Sequence, residues 1–480
     1  MASTILPSAA QSIFEKNTTA DINLDDLSLQ DSKDYYIRTR CRLCGSEELT
    51  PVLSLTPTPP ANAFINASLL GKTVNEYPLD VSFCEDCTHL QLVNVIDPEI
   101  LFKNYVYVSG ATNVMIDHMK NYAADVLKVA NVHDVELVVE FGSNDGTLLR
   151  FFKESGHKVL GIDPAENLAA AASASGIPTI PSLFNLQCVR TVLKEHGKAK
   201  LICANHCCAH IDNLTEVFEA VRELMSPDGL WVFEVGYLLD VYTKALFDTI
   251  YHEHLDFHTV LPLQKILKKY QLQLVRADRV DIQGGALRCF VRHIADTNVL
   301  QEDIDNMNKL IQLEAAAGLH ASPTFLNWGA QIDTIGLELR ALLLALKANG
   351  KTIAGYGAPA KATTLMYHFG FTSDNISYIV DDNPLKQGLY TPGLNIPVVS
   401  SSKLREDRPD YVIILAWNFA DSVIEQNTEY LQAGGRFIVP LPNVRIHATH
   451  ATATASPIES TVSEAVMPSE TEKATDSVTG

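Results

Sequence analysis

At 480 residues the chain is too long for one ordinary hydrophobic core, so two to four domains are expected. Hydrophobic residues at 46% and charged residues at 20% exclude a disordered chain, and a net charge of −20 excludes general nucleic-acid binding, which needs clustered Lys and Arg. Apolar runs such as that at 341–346 are far too short to span a bilayer. A phosphorylated small ligand stays open, because a few donors at one loop suffice.

Residues 1–34 are rich in Ser, Thr and Asp without apolar pattern and are expected to form a disordered tail. Residues 1–18 lack a basic stretch followed by an apolar one, so no secretory signal is expected. Nine cysteines is an odd count; Cys188, Cys203, Cys207, Cys208 and Cys289 lie inside apolar segments and the other four form two Cys-x-x-Cys pairs. Free buried thiols suit a reducing compartment, so a cytoplasmic protein is expected.

Residues 35–125 offer short β-like pieces broken by Pro and Gly, too little to hold a core unaided. Cys41 with Cys44, and Cys84 with Cys87, supply four thiolates separated by 39 residues. Each spacing lets one tight turn present two sulfurs to a tetrahedral ion, and four thiolates close the coordination sphere. One structural zinc is the expectation; reduced structural thiols or a redox pair are the alternatives.

Across 126–299 short apolar runs at 137–141, 158–162, 201–205, 230–235 and 272–276 alternate with helical stretches. That rhythm predicts βαβ units on a largely parallel, doubly wound sheet. The first run passes into Glu140-Phe-Gly142-Ser-Asn144-Asp145-Gly146, where glycines let a backbone approach a ligand at a helix start. The next strand ends at Asp163, 21 residues beyond Gly142, where a carboxylate can accept both ribose hydroxyls of an adenosine. Glu140 would repel a pyrophosphate but suits a cationic cofactor such as S-adenosyl-L-methionine. An ordinary strand–turn–helix corner is the plainer alternative.

After the run at 201–205 comes Asn205-His206-Cys-Cys-Ala-His210, and after 230–235 comes Tyr251-His252-Glu253-His254 with His258 beyond. A helix there would put Tyr251 beside His254, and His254 beside His258. Tyr, Glu and His at the carboxyl edge of a parallel sheet are the parts of an acid–base site; a polar surface helix is the bland reading.

Residues 300–446 begin with a helical connection to about 349 and continue as a second α/β unit, with buried strands expected at 352–355, 376–380, 411–416 and 436–439. Gly355-x-Gly357-x-x-Ala360 follows a strand and precedes a helix, the setting of a dinucleotide fingerprint. Read alone it predicts an NAD-type site, hence an oxidoreductase. Residues 447–480 read as a second disordered tail.

In order along the chain, the four knuckle cysteines, Tyr105-Val-Tyr107-Val-Ser-Gly110, the 140–146 turn, Ile250-Tyr-His-Glu-His254, Gln283-Gly-Gly285, Gly355-Tyr-Gly-Ala-Pro-Ala-Lys361 and Leu415-Ala-Trp-Asn418 form a specific set. The chain resembles, over about 38–446, the sugar C-methyltransferases, which use S-adenosylmethionine to methylate nucleotide-linked keto-deoxysugars. The resemblance implies a zinc-binding N-terminal domain, a central Rossmann-like domain holding the cofactor, and a second Rossmann-like C-terminal domain. It implies His254 as general base, with Tyr251 and Glu253 positioning it or handling the enolate, and Tyr107 and His210 at the substrate. Glu140, Gly142, Asn144, Asp145, Gly146, Asp163 and Asn205 are then expected at the cofactor. Tyr356, Lys361, Asp382, Lys386 and Asn418 are expected at the acceptor, a small molecule of the nucleotide-sugar kind. Two departures touch the expected pocket: Asn205 lies five residues before His210, with His206 in the usual Asn place, and Gln283 stands where a His commonly precedes Gly-Gly. They leave O- or N-methylation of another metabolite as the alternative chemistry.

Overall fold

The computed structural model describes residues 34–102, 108–130, 135–297 and 299–449. Both expected tails, apart from Asp34 and 447–449, lie outside these residues, as does Tyr107. Three sheets organise the rest, with a two-stranded pair, Tyr35–Ile37 and Asn94–Ile96, beside them.

The N-terminal sheet is antiparallel, in the order Asp256–Phe257, Leu90–Leu92, Tyr77–Cys84, Leu49–Thr58. Its outer strand Asp256–Phe257 comes from far along the chain, so the segment carrying residues 250–258 is sewn onto the sheet beside the cysteine knuckles. A tight Cys-Glu-Asp-Cys turn separates Tyr77–Cys84 from Leu90–Leu92, with Thr88 N–H closing on the Cys84 carbonyl at 2.8 Å.

The central sheet has seven strands in the order Leu272–Val280, Ala286–His293, Met225–Gly236, Ala199–Asn205, Leu137–Phe141, Lys158–Asp163, Thr179–Pro181. The last five are parallel. The strand order reverses beside Leu137–Phe141, whose neighbours are the strand that follows it and Ala199–Asn205, and ligands favour the crevice outside such a switch point. The other edge differs from expectation. Leu272–Val280 is half of a hairpin with Ala286–His293, which runs against both of its neighbours. The turn between them is possible because Gly284 and Gly285 take φ of 96° and 131°. Charges at Arg288 and Arg292 mask Ala286–His293 as a strand; Arg288 stands opposite Glu234 in the register and neutralises it.

Two long helices, Gln301–Ala316 and Ser322–Ala348, lead into a six-stranded sheet ordered Val398–Val399, Ile379–Val380, Ile353–Tyr356, Tyr411–Ile414, Arg436–Val439, Arg445–His447. Its first five strands are parallel and the last is reversed. One apolar cluster runs from Leu43 and Phe83 through Trp231 and Phe247 to Phe369 and Ile413, so N-terminal, central and C-terminal parts share buried surface. A second, around Tyr122, Phe152 and Phe290, fills another part of the central fold. No helix among the described residues is long and apolar enough to cross a membrane.

Candidate active site

The four knuckle thiols converge. Cys41 Sγ lies 3.6 Å from Cys87 Sγ, and Cys44 Sγ 3.5 Å from Cys84 Sγ, with all four ligand atoms within 4.8 Å of one another. A tetrahedral zinc with bonds of about 2.3 Å sets its sulfurs roughly 3.8 Å apart, so this donor set fits the ion and the disposition is that of a closed structural site.

The switch-point crevice is acidic. Glu140 is buried and its Oε2 has no hydrogen-bond partner. Burial pushes its carboxyl well above the ordinary range, with Cys207, Asp163 and Asp145 adding to the effect. Asp163 at the end of the next strand accepts the N–H of Asn144 at 2.8 Å and of Ala165 at 2.9 Å, which fixes the carboxylate and leaves each oxygen a further lone pair. An orphaned buried acid among other acids is costly unless a cation or proton meets it. The chemistry of the donors thus fits S-adenosylmethionine, whose ammonium and sulfonium are positive and whose ribose offers two hydroxyls.

The turn between these acids is held by unusual backbone. Gly142, Asn144 and Gly146 have φ of 66°, 51° and 76°. Asn144 Oδ1 accepts Ser109 N–H at 2.9 Å and Asp145 Oδ2 accepts Gly110 N–H at 3.1 Å, so the segment after residue 107 is tied to the turn. A Cβ on Gly142 would stand 2.6 Å from Cys207 Cβ and 2.8 Å from its Sγ. Gly142→Ala is therefore expected to push the 206–210 loop away and weaken S-adenosylhomocysteine binding by at least tenfold in calorimetry, with roughly 1–3 kcal/mol lost from stability in denaturant titration.

Residues 250–255 form no helix, contrary to the spacing argument. A short turn, Phe247–Thr249, opens into an irregular loop that ends in Asp256–Phe257, because the segment is pinned at both ends by other parts of the chain. His258 consequently does not share a face with His254; it is buried against His89, ring centroids 5.5 Å apart. His252 is structural too, its Nε2 3.2 Å from the Tyr77 and Pro78 carbonyls.

His254 behaves differently. Its Nδ1 donates to the Thr249 carbonyl at 2.6 Å, which assigns the proton to Nδ1 and leaves Nε2 with a lone pair. Burial pulls its imidazole down to about 4, with the Thr249 bond working the other way, so it is neutral at ordinary pH. The Tyr251 ring packs 4.1 Å from it and the His210 ring 5.1 Å from it. Burial, with His254 and His206 beside it, pushes His210 well below the usual value. Glu253 is buried and its Oε1 accepts Asn62 Nδ2 at 2.9 Å.

The sequence reading missed Glu234, an acid inside the otherwise apolar run at 230–235. Fully buried, it accepts Arg288 Nε at 2.6 Å and meets His118 Nε2 at 2.8 Å, with His206 Nε2 at 3.6 Å. Burial would raise its carboxyl, but His118, Arg288 and His206 outweigh that and hold it at about 2. Asn205, its register partner, has an unpartnered buried Oδ1.

At the C-terminal sheet, Gly357 takes φ 84° and the Ala358 N–H donates to Asp381 Oδ2 at 2.7 Å. Burial pushes the Tyr356 hydroxyl up, Asp382 adding to it, while Asp382 itself is exposed. Lys386 Nζ donates to the Ala358 carbonyl at 2.8 Å, and Asn418 Oδ1 is buried without a partner. The Lys361 amine lies 3.7 Å from Asp248 Oδ2 and 4.5 Å from the Trp417 ring centre. Trp417 Nε1 donates to the same Asp248 oxygen at 2.7 Å, and Thr364 Oγ1 donates to the Ile250 carbonyl at 2.9 Å. The histidine loop is thus gripped from the C-terminal unit as well as from the N-terminal sheet.

Comparison with known proteins matches three family models along the chain: a zinc binding domain over 41–102, a methyltransferase domain over 115–277, and a C-methyltransferase C-terminal domain over 281–442. The C-methyltransferase NovU of Streptomyces niveus is 34% identical over 412 residues, spanning 86% of this chain and 97% of that protein. Among solved structures, the magnesium protoporphyrin IX methyltransferase ChlM of Synechocystis PCC 6803 with bound SAH is 12% identical over 38% of this chain and 87% of its own, TM-score 0.31. An S-adenosylmethionine-dependent methyltransferase of Clostridium acetobutylicum ATCC 824 is 12% identical over 37% and 92%, TM-score 0.30.

Proposed function

The chain belongs to the C-methyltransferase family and is an S-adenosylmethionine-dependent enzyme, and from that premise we propose that it methylates a carbon next to a ketone in a small acceptor of the nucleotide-linked keto-sugar class. The observation that carries this reading is the tautomer of His254: an imidazole whose Nδ1–H is spent on the Thr249 carbonyl at 2.6 Å presents Nε2 as a base.

In this reading Glu140, Asp163 and the backbone of 142–146 hold the cofactor, with Asn205 at its edge. Bound there, S-adenosylmethionine supplies an electrophilic methyl group. His254 Nε2 takes the proton from the carbon beside the ketone. A neutral imidazole is too weak a base for that carbon unless the enolate oxygen is stabilised as it forms. Tyr251 and His210, whose rings pack beside that of His254, are read as the donors to that oxygen, and Tyr107 joins them by its place in the motif. Glu253, fixed by Asn62, orients the loop. Holding acceptor and methyl donor together supplies the remaining advantage through proximity.

The C-terminal unit is read as the grip on the nucleotide part of the acceptor, through Tyr356, Lys361, Asp382, Lys386 and Asn418. The match over 281–442 to a C-methyltransferase C-terminal domain supports this reading over a redox dinucleotide at 355–360.

The test is mass spectrometry of the enzyme with S-adenosylmethionine and a panel of nucleoside-diphosphate keto-sugars, simple ketones, alcohols and amines. The expected result is a gain of one methylene on a keto-sugar, at a carbon whose hydrogen exchanges with deuterated water in the presence of enzyme and S-adenosylhomocysteine. Methylation confined to an oxygen or nitrogen, with no such exchange, overturns the reading.

A further inference from the structure

Arg42 stands between two zinc-knuckle cysteines, and its side chain is completely buried. A guanidinium is expensive to bury unless its donors are matched, and of the Arg42 nitrogens Nη2 is buried without a partner while Nε and Nη1 are bonded. Where its bonds go is therefore informative. Nε donates to Asp212 Oδ1 at 2.8 Å. Nη1 donates to the Leu92 carbonyl at 2.6 Å and to the Leu255 carbonyl at 3.0 Å. Asp212 lies two residues after His210, and Leu255 immediately follows His254.

These are the two loops whose imidazoles approach to 5.1 Å. Leu255 splices them: its N–H donates to the Ala209 carbonyl at 2.8 Å, and its carbonyl accepts from Leu92 N–H at 2.9 Å as well as from Arg42. Arg42 is in turn pinned by its own backbone, which donates to Gln91 Oε1 at 2.8 Å. Asp212 is clamped from outside by Arg38 at 2.8 Å and by the Tyr36 hydroxyl. The planar fork of arginine can serve a carboxylate and two carbonyls at once; a lysine, a point charge on a flexible stem, cannot hold all three.

We propose that Arg42 is a positioning residue for methyl transfer, coupling the zinc knuckle to the relative placement of His210 and His254. The inference rests on the reading of His254 as the base. Its consequence is that the metal domain, although its zinc takes no part in the chemistry, sets the geometry of the proton abstraction.

Arg42→Lys keeps the charge and loses the fork. With a nucleoside-diphosphate keto-sugar as acceptor, kcat is expected to fall about a hundredfold, the cost of misplacing a catalytic group by around 1 Å. KM for S-adenosylmethionine, the single zinc per chain and S-adenosylhomocysteine binding are expected to stay unchanged. Histidine-labelled protein supplies an acceptor-independent readout: the Nδ1–H tautomer of His254, single in the parent, is expected to become mixed. Unchanged kcat and an unchanged tautomer in Arg42→Lys overturn the proposal. Should that variant lose zinc or fail to fold, Asp212→Ala replaces it, removing the partly exposed acceptor of Nε; a tenfold or larger fall in kcat supports the proposal and parent turnover overturns it. His254→Asn is assayed alongside. Parent turnover in His254→Asn would remove the base reading, whereas an inert His254→Asn beside a normal Arg42→Lys removes only the role of Arg42.

Discussion

His254→Asn is expected to abolish turnover while leaving the affinity for S-adenosylhomocysteine within about twofold of the parent. The amide can still donate to the Thr249 carbonyl, so the loop keeps its bond, but it has no lone pair basic enough to take a proton. General-base removal typically costs roughly 10²–10⁴-fold in rate. The cofactor edge at Glu140 and Asp163 is built from other strands, which is why binding should survive. Single-turnover rates with a keto-sugar nucleotide, set beside calorimetry with S-adenosylhomocysteine, separate the two effects. In the parent enzyme the acid limb has a definite sign. With burial holding the imidazole at about 4, the base is unprotonated above that pH, and kcat/KM should fall only as pH drops through it. Parent-like turnover in His254→Asn would assign the proton abstraction to another group.

The same loop shows what a sequence can and cannot disclose. The four cysteines and the strand–turn at 137–146 were readable because their chemistry is local: a Cys-x-x-Cys turn presents two sulfurs by itself, and a glycine after an apolar strand marks a close approach. The conformation of 250–258 was not readable. Its i, i+3 and i, i+4 spacings suit a helix, but its backbone carbonyls and side chains are tied to distant partners. Asp248 is held by Trp417 and Lys361, Ile250 by Thr364, Glu253 by Asn62 and Leu255 by Arg42. None of these pairings has a sequence period. Glu234 escaped notice for a related reason. An acid inside an apolar run looks like an error until its cross-strand neighbour Arg288 and the helix-borne His118 are seen to neutralise it. Arg288 and Arg292 in turn disguised Ala286–His293 as something other than a strand, although Arg292 is matched by Asp296 at 3.1 Å. Charges paired across elements hide both the elements and the sites they build.

Replacing Glu140 by glutamine should separate stability from binding. In the ligand-free protein this carboxyl is buried beside other acids with one oxygen unsatisfied, and burial first, then Cys207, Asp163 and Asp145, push its pKa well above 4.5. A folded-state value raised above the unfolded one means that the native protein binds the extra proton. The group therefore destabilises the fold progressively as pH rises above about 4.5, until the folded-state value is reached. Glutamine has the same shape and no charge to suppress, so Glu140→Gln is expected to raise the thermal midpoint of the ligand-free protein at neutral pH by a few degrees. The cofactor should respond in the opposite direction. Its positive groups are what offset a buried anion here, and removing one partner of a desolvated charge pair costs on the order of 3–5 kcal/mol, or at least about a hundredfold in affinity. A more stable protein that no longer holds S-adenosylmethionine marks Glu140 as strain kept for a ligand. A variant that binds as well as the parent would move the cationic contact to Asp163 or Asp145 and leave the orphaned oxygen of Glu140 as a cost of the fold alone.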